Sequence, residues 1–139
     1  MKMSIRDVMT TEPVTVSPAI PVDRIAGMMR DHGIGSIPVV DSDELKGMVT
    51  DRDIIVRCVA LGRQPAATFA EDVCTAEVQT VALNDSTRDA ANIMRRHALR
   101  RLPVVDGPRL VGMLSIGDVA RAVDEQSPLS DISQAPSNS

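Results

Sequence analysis

Residues 37–53 read Ile37-Pro38-Val39-Val40-Asp41-Ser42-Asp43-Glu44-Leu45-Lys46-Gly47-Met48-Val49-Thr50-Asp51-Arg52-Asp53. The β-branched run Ile37 to Val40 predicts a strand, with the proline near its start, where a sheet tolerates one. Asp41 to Glu44 are turn residues, and Leu45 to Val49 returns as the hairpin partner. Thr50-Asp51-Arg52-Asp53 then carries the signature of a helix start, a hydroxyl residue followed three positions later by an acid. The whole passage recurs 65 positions on, from Leu102-Pro103-Val104-Val105-Asp106 to Gly112-Met113-Leu114-Ser115-Ile116-Gly117-Asp118.

The repeat extends outward without a gap. Asp7 to Asp53 aligns with Asp72 to Asp118, and 18 of these 47 pairs are identical, where composition alone gives roughly three. Identities cluster at Asp7-Val8-x-Thr10 with Asp72-Val73-x-Thr75, Thr15-Val16 with Thr80-Val81, and Met29-Arg30-x-His32 with Met94-Arg95-x-His97. A duplicated unit of this length implies halves that pack together because neither buries its apolar face alone.

Each repeat is expected to run β-α-β-β-α. In the first, Ile5 to Met9 leads to a brief strand at Pro13 to Val16, and Ser17 and Pro18 break it. Val22, Ile25, Ala26, Met28 and Met29 then recur at helical spacing, and Gly33 stops the helix. A second helix is expected to about Ala60, with Ile54, Ile55, Cys58 and Val59 as its apolar side. The second repeat has strands near Thr80-Val81, 102–105 and 110–114 and helices at about 87–97 and 116–124. The expected domains are 1–61 and 71–125, a connector at 62–70, and a Ser-, Gln-, Pro- and Asn-containing tail at 126–139 with a disordered composition.

Composition narrows the function. The 139 residues carry a net charge of −4 and contain one aromatic, Phe69. The core must therefore be aliphatic, and a flat ligand would lie between aliphatic side chains. Single-stranded nucleic acid binding, which uses aromatic platforms in a basic groove, is not expected. No apolar stretch has membrane-spanning length, and the start lacks the hydrophobic segment of a signal peptide. Cys58 and Cys74 have no metal-ligand spacing and are expected to be reduced and mostly buried. The expected compartment is the cytoplasm. His32 and His97 sit at equivalent helix ends, where a positive charge suits the dipole, with no neighbouring base or ligand.

Thr50-x-x-Asp53 and Ser115-x-x-Asp118 admit two readings. As helix caps they satisfy unpaired N–H groups and complement the dipole. As a binding device, the helix start offers donors to an anion, the hydroxyl donates to a phosphate oxygen, and the carboxylate accepts two hydrogen bonds from a ribose cis-diol. Duplication copies caps as faithfully as sites, so recurrence does not separate the two.

The β-α-β-β-α duplication, the x-Pro-Val-Val-Asp strand and the Gly-x-x-(Thr/Ser)-x-x-Asp junction together resemble a tandem pair of cystathionine-β-synthase (CBS) domains, a Bateman module. The likeness runs from Ile5 to about Asp124; each motif is short, and their order in both copies is specific. Thr50-Asp51-Arg52-Asp53-Ile54 is especially similar to small bacterial proteins made of little but this pair. The resemblance implies an α/β (α+β) fold, with two repeats packed sheet to sheet about a pseudo-twofold axis and two clefts between them. It implies adenosine-containing ligands, AMP, ADP, ATP or S-adenosylmethionine, and no required cofactor. Carried onto this chain, one cleft would combine Thr50 and Asp53 with Val78, Arg100, Arg101 and Pro103. The other would combine Ser115 and Asp118 with Pro13, Gly35, Ser36 and Pro38. Asp would hold the ribose, the hydroxyl residue the phosphate, and aliphatic side chains the adenine.

The repeats diverge where Gly35-Ser36 faces Arg100-Arg101 in the alignment. Two guanidinium groups suit phosphate through their bidentate geometry, so the cleft containing them is expected to favour a phosphorylated ligand. Solvation, or pairing with acids of a partner subunit, explains the same residues. Arg95 and Arg96 read as an exposed helix face. The methionines at 28, 29, 48, 94 and 113 read as core, with Met48 and Met113 adjacent to the junctions.

The expected function is regulatory sensing of an adenosyl ligand, including energy sensing, by a homodimer acting on a separate effector protein. The alternative is a dimerising scaffold without a physiological nucleotide. Catalysis is not expected: the chain has no nucleophile elbow, no phosphate-binding glycine loop and no metal-ligand cluster.

Overall fold

The computed structural model describes residues 3–124. It is a mixed α+β chain of short helices and two hairpins. The elements are α1 (Ile5–Val8), α2 (Val22–His32), β1 (Ser36–Asp41), β2 (Glu44–Thr50), α3 (Asp51–Ile54), a π-helical turn (Ile55–Val59) and a 3₁₀ turn (Pro65–Ala67). They continue with α4 (Ala70–Val73), β3 (Val81–Ala82), α5 (Thr87–His97), β4 (Arg101–Asp106), β5 (Arg109–Ser115) and α6 (Ile116–Asp124). The tail expected to be disordered lies outside the described residues.

The two hairpins are copies in register as well as in sequence. Pro38 faces Met48 and Pro103 faces Met113, with a bulge between Val39 and Val40 in one and between Val104 and Val105 in the other. α2 ends on Gly33 in the left-handed conformation (φ +63°), a backbone state glycine adopts without strain. α5 ends the same way on Ala98 (φ +54°), which lacks that freedom.

Two features differ from expectation. The first strand of the first repeat reduces to a single parallel bridge, in which Val16 N–H donates to the Pro38 carbonyl (3.0 Å) and the Val16 carbonyl accepts from Val40 N–H (2.8 Å). In the second repeat the same position widens to β3, parallel to β4. The helix after Thr50 is α-helical for one turn and then π-helical, with Ala60 N–H donating to the Ile55 carbonyl five residues back. The wider turn keeps Ile54 and Cys58 buried and leaves Ile55 and Val59 exposed, where a regular α-helix would carry all four on one side.

The compact units cut the chain differently from the linear repeats. One consists of Val14–Val78, and the other combines the described residues up to Pro13 with those from Gln79 to Asp124. The leading segment of each repeat thus joins the body of the other. In the first unit Thr75 and Met48 exchange both backbone hydrogen bonds (2.9 and 3.0 Å); in the second Thr10 and Met113 do the same (2.8 and 3.0 Å).

Each unit has its own aliphatic core. Val22, Ile25, Ile37, Val39, Val49 and Cys58 are buried with Ala70 and Val73 of α4 in the first. Val81, Ala90, Met94, Leu102, Val104, Leu114 and Val119 are buried with Ile5 of α1 in the second. Ile5 and Val73 are wholly buried, so each short leading helix is an integral part of its core.

Candidate functional site

Each unit carries one strand-to-helix junction, built by the same device. At the end of β2, Asp53 N–H donates to Thr50 Oγ1 (3.0 Å) and Thr50 N–H donates to Asp53 Oδ2 (2.9 Å). At the end of β5, Asp118 N–H donates to Ser115 Oγ (3.1 Å) and Ser115 N–H donates to Asp118 Oδ2 (3.0 Å). Both are reciprocal capping boxes, so the cap reading of these residues holds in full. The box also ties Oδ2 of each half-buried carboxylate to a backbone amide, leaving Oδ1 outside that bond. A pre-oriented acceptor of this kind is what a ligand hydroxyl needs.

The pre-proline segment of each repeat lies beside the junction of its own unit. Ser36 is the register partner of Thr50, and Asp51 N–H donates to the Gly35 carbonyl (2.9 Å). Arg101 is the register partner of Ser115, and Ile116 N–H donates to the Arg100 carbonyl (2.8 Å). Arg100 and Arg101 are exposed; Pro38 and Pro103 are buried within β1 and β4. Val78 and Pro13, both half-buried, are the last residues of the segments contributed to the Val14–Val78 unit and to the unit that begins the chain. Within a unit, therefore, Thr50 and Asp53 are accompanied by Gly35 and Ser36, and Ser115 and Asp118 by the two arginines.

Three side chains around these junctions make contacts that the sequence reading did not foresee. Asp51 lies over Gly35, where an added Cβ would meet Asp51 Oδ2 at 2.9 Å. Arg57, on the π-helical turn, donates through Nη1 to the Val73 and Cys74 carbonyls (3.0 and 2.9 Å) and caps the end of α4. Arg121, one turn into α6, donates to Asp118 Oδ1. The i, i+3 spacing of Asp118 and Arg121 is the signal that could have revealed the last of these.

The cysteines are free thiols, Cys58 buried and Cys74 half-buried. Burial pushes the Cys74 thiol above its ordinary value, and the negative charge of Asp53 adds to the rise. Among the described residues no group of three or more His, Cys, Asp and Glu is placed to hold a metal ion. Arg95, Arg96, His32 and His97 are exposed, while Met29, Met94 and Met113 are buried.

The CBS domain model matches this chain twice, over residues 5–59 and 70–125. The chain belongs to the CBS domain family. As a CBS pair it is a regulatory ligand-binding module in architecture. It is 44% identical over 117 residues to the CBS domain-containing protein YhcV of Bacillus subtilis, covering 84% of this chain and 83% of that one. Its fold matches the crystal structure of Hypoxic Response Protein I, which was solved with two coordinated zinc ions. That match has a TM-score of 0.77 and 35% identity over 86% of this chain and 98% of that one. It also matches CBSX2 in complex with AMP, with a TM-score of 0.76 and 28% identity over 88% and 96% of the two chains.

Proposed function

We propose that this CBS pair senses an adenosine-containing ligand and passes its occupancy to a separate effector protein. The observation that carries the reading is the state of Asp53. One carboxylate oxygen is tied to the Thr50 amide, and among the described residues no donor is found on the other. That leaves a fixed, negatively charged acceptor at a strand-to-helix junction, suited to a ribose diol. The AMP complex of CBSX2, a neighbour with the same fold, supports an adenosyl ligand class. In this reading Thr50 and Ser115 contribute hydroxyl contacts, Arg100 and Arg101 contact phosphate, and Val78, Pro13, Gly35 and Ser36 border the nucleoside, while the buried Pro38 and Pro103 shape the strands behind them.

Occupancy regulates only if the ligand binds two conformations unequally. No catalytic step is assigned to the chain, since Asp51, Asp53 and Asp118 all serve as caps or neighbours of caps. We also propose a cytoplasmic homodimer. Ile55, Val56, Val59 and Leu61 are 48–63% exposed, an apolar run that a second subunit would cover. Among the described residues no helix is long and apolar enough to cross a membrane.

Calorimetric titration with AMP, ADP, ATP and S-adenosylmethionine tests the reading. At least one should bind tighter than about 1 mM, a free energy near −4 kcal/mol. Weaker binding by all four would favour the dimerising scaffold.

A further inference from the structure

The two junction carboxylates occupy equivalent positions in the repeats, yet their surroundings differ. Asp118 is held at both ends: Oδ2 accepts from the Ser115 amide at 3.0 Å and Oδ1 accepts from Arg121 Nη2. The Asp118 side chain is 16% exposed and that of Arg121 is 52% exposed, so Arg121 is the more solvent-exposed partner of the pair. The residue equivalent to Arg121 in the first repeat is Val56, which can make no such bond. A carboxylate offers about four lone-pair sites. At Asp118 the Ser115 amide takes one on Oδ2 and Arg121 one on Oδ1, so a cis-diol must share Oδ1 with Arg121 or displace it.

We propose that Arg121 is a built-in latch on Asp118, competing with the diol of an adenosyl ligand and making this junction the weaker of the two. The inference rests on the proposed binding of adenosyl ligands. It goes beyond it by assigning a specificity role to a residue outside the junction motif. The latch is an exposed ion pair, so it is weak, and salt loosens it. An uncharged diol then gains access to Asp118 as ionic strength rises, the opposite of what salt does to phosphate binding.

The test uses adenosine, which has the diol and no phosphate, so that salt acts on the protein and not on the ligand. Asp53→Asn keeps a capping oxygen in the first unit while removing its charge, and it serves as the background. Asp53→Asn with Arg121→Met should bind adenosine about two- to five-fold tighter than Asp53→Asn alone. Affinity in the single variant should rise between about 0.05 and 0.5 M salt, and in the double variant it should not. Adding Asp118→Asn should abolish both effects. Equal or weaker binding after Arg121→Met, or the same salt response with and without Arg121, overturns the latch. A purely structural role for Arg121 would lower the melting temperature without altering the salt response, and that result also overturns it. If the wild-type protein binds AMP while these contrasts are absent, only the latch fails. If it binds neither AMP nor adenosine, the ligand reading itself fails and takes the latch with it.

Discussion

Asp53→Ala is expected to weaken AMP binding by about 10- to 150-fold, the loss that follows from removing a charged hydrogen-bond partner worth about 1.5–3 kcal/mol. The same carboxylate closes the capping box with Thr50, so the substitution also costs about 1 kcal/mol of stability. Asp53→Asn separates the two contributions. It retains an oxygen for the Thr50 amide and loses the negative charge, so its melting temperature should stay nearer the wild type while AMP affinity still falls. Asp118→Ala should weaken binding less, because Asp118 already spends one oxygen on Arg121. Equal losses at the two positions, measured by calorimetry alongside thermal melts, would contradict the asymmetry described above.

Gly47→Ala is expected to destabilise the fold by about 1–3 kcal/mol, the usual range for forcing volume into a packed site. An added Cβ would lie 2.7 Å from the Thr75 carbonyl oxygen and 3.2 Å from Cys74 Sγ. The first of these neighbours is backbone. Thr75 exchanges both its backbone hydrogen bonds with Met48, next to Gly47 in β2, and cannot withdraw without breaking that bridge. Gly112 in the second unit stands in the same relation to the Thr10 carbonyl, at 2.9 Å. Its nearest neighbour is the flexible Met9 side chain at 2.7 Å, so Gly112→Ala should cost less. Chemical denaturation read by circular dichroism gives both values. An unchanged midpoint for Gly47→Ala would contradict the packing of residues 74–75 against the first repeat.

The glycines also show what was legible beforehand. The pairing Gly47/Gly112 stood out as a repeated position, and the hairpins, the helices from Val22 and Thr87, and both junctions followed from periodicity and turn residues. What carried them was the duplication, since each motif alone is short. The exchange of leading segments was not legible, for a physical reason. Thr10 and Thr75 are identical residues facing identical methionines, so the pattern is the same whichever copy each segment joins. The π-helical turn was missed because Ile54, Ile55, Cys58 and Val59 have ordinary α-helical spacing. The widening shows in the structure, where the Ala60 amide donates to the Ile55 carbonyl five residues back. At the junctions the hydroxyl and acid were legible as a capping pair, but their surroundings were not. Arg121 reads as a surface arginine until its partner on Asp118 is seen.

The resemblance grouped Arg100 and Arg101 with Thr50 and Asp53, across repeats. Within its own unit, Arg101 is in register with Ser115. Both pairs of residues remain assigned to ligand contact in the proposed function, with the arginines on phosphate and the aspartates on the ribose.

The central claim is that a capped carboxylate grips the sugar of an adenine nucleotide. A side-by-side calorimetric titration with AMP and 2′,3′-dideoxy-AMP measures it most directly, because the two ligands share base and phosphate and differ only in the hydroxyls. The account predicts that the dideoxy compound binds at least about ten-fold more weakly to the wild-type protein, and that Asp53→Ala largely erases the difference. Indistinguishable affinities for the two ligands in the wild-type protein would contradict it.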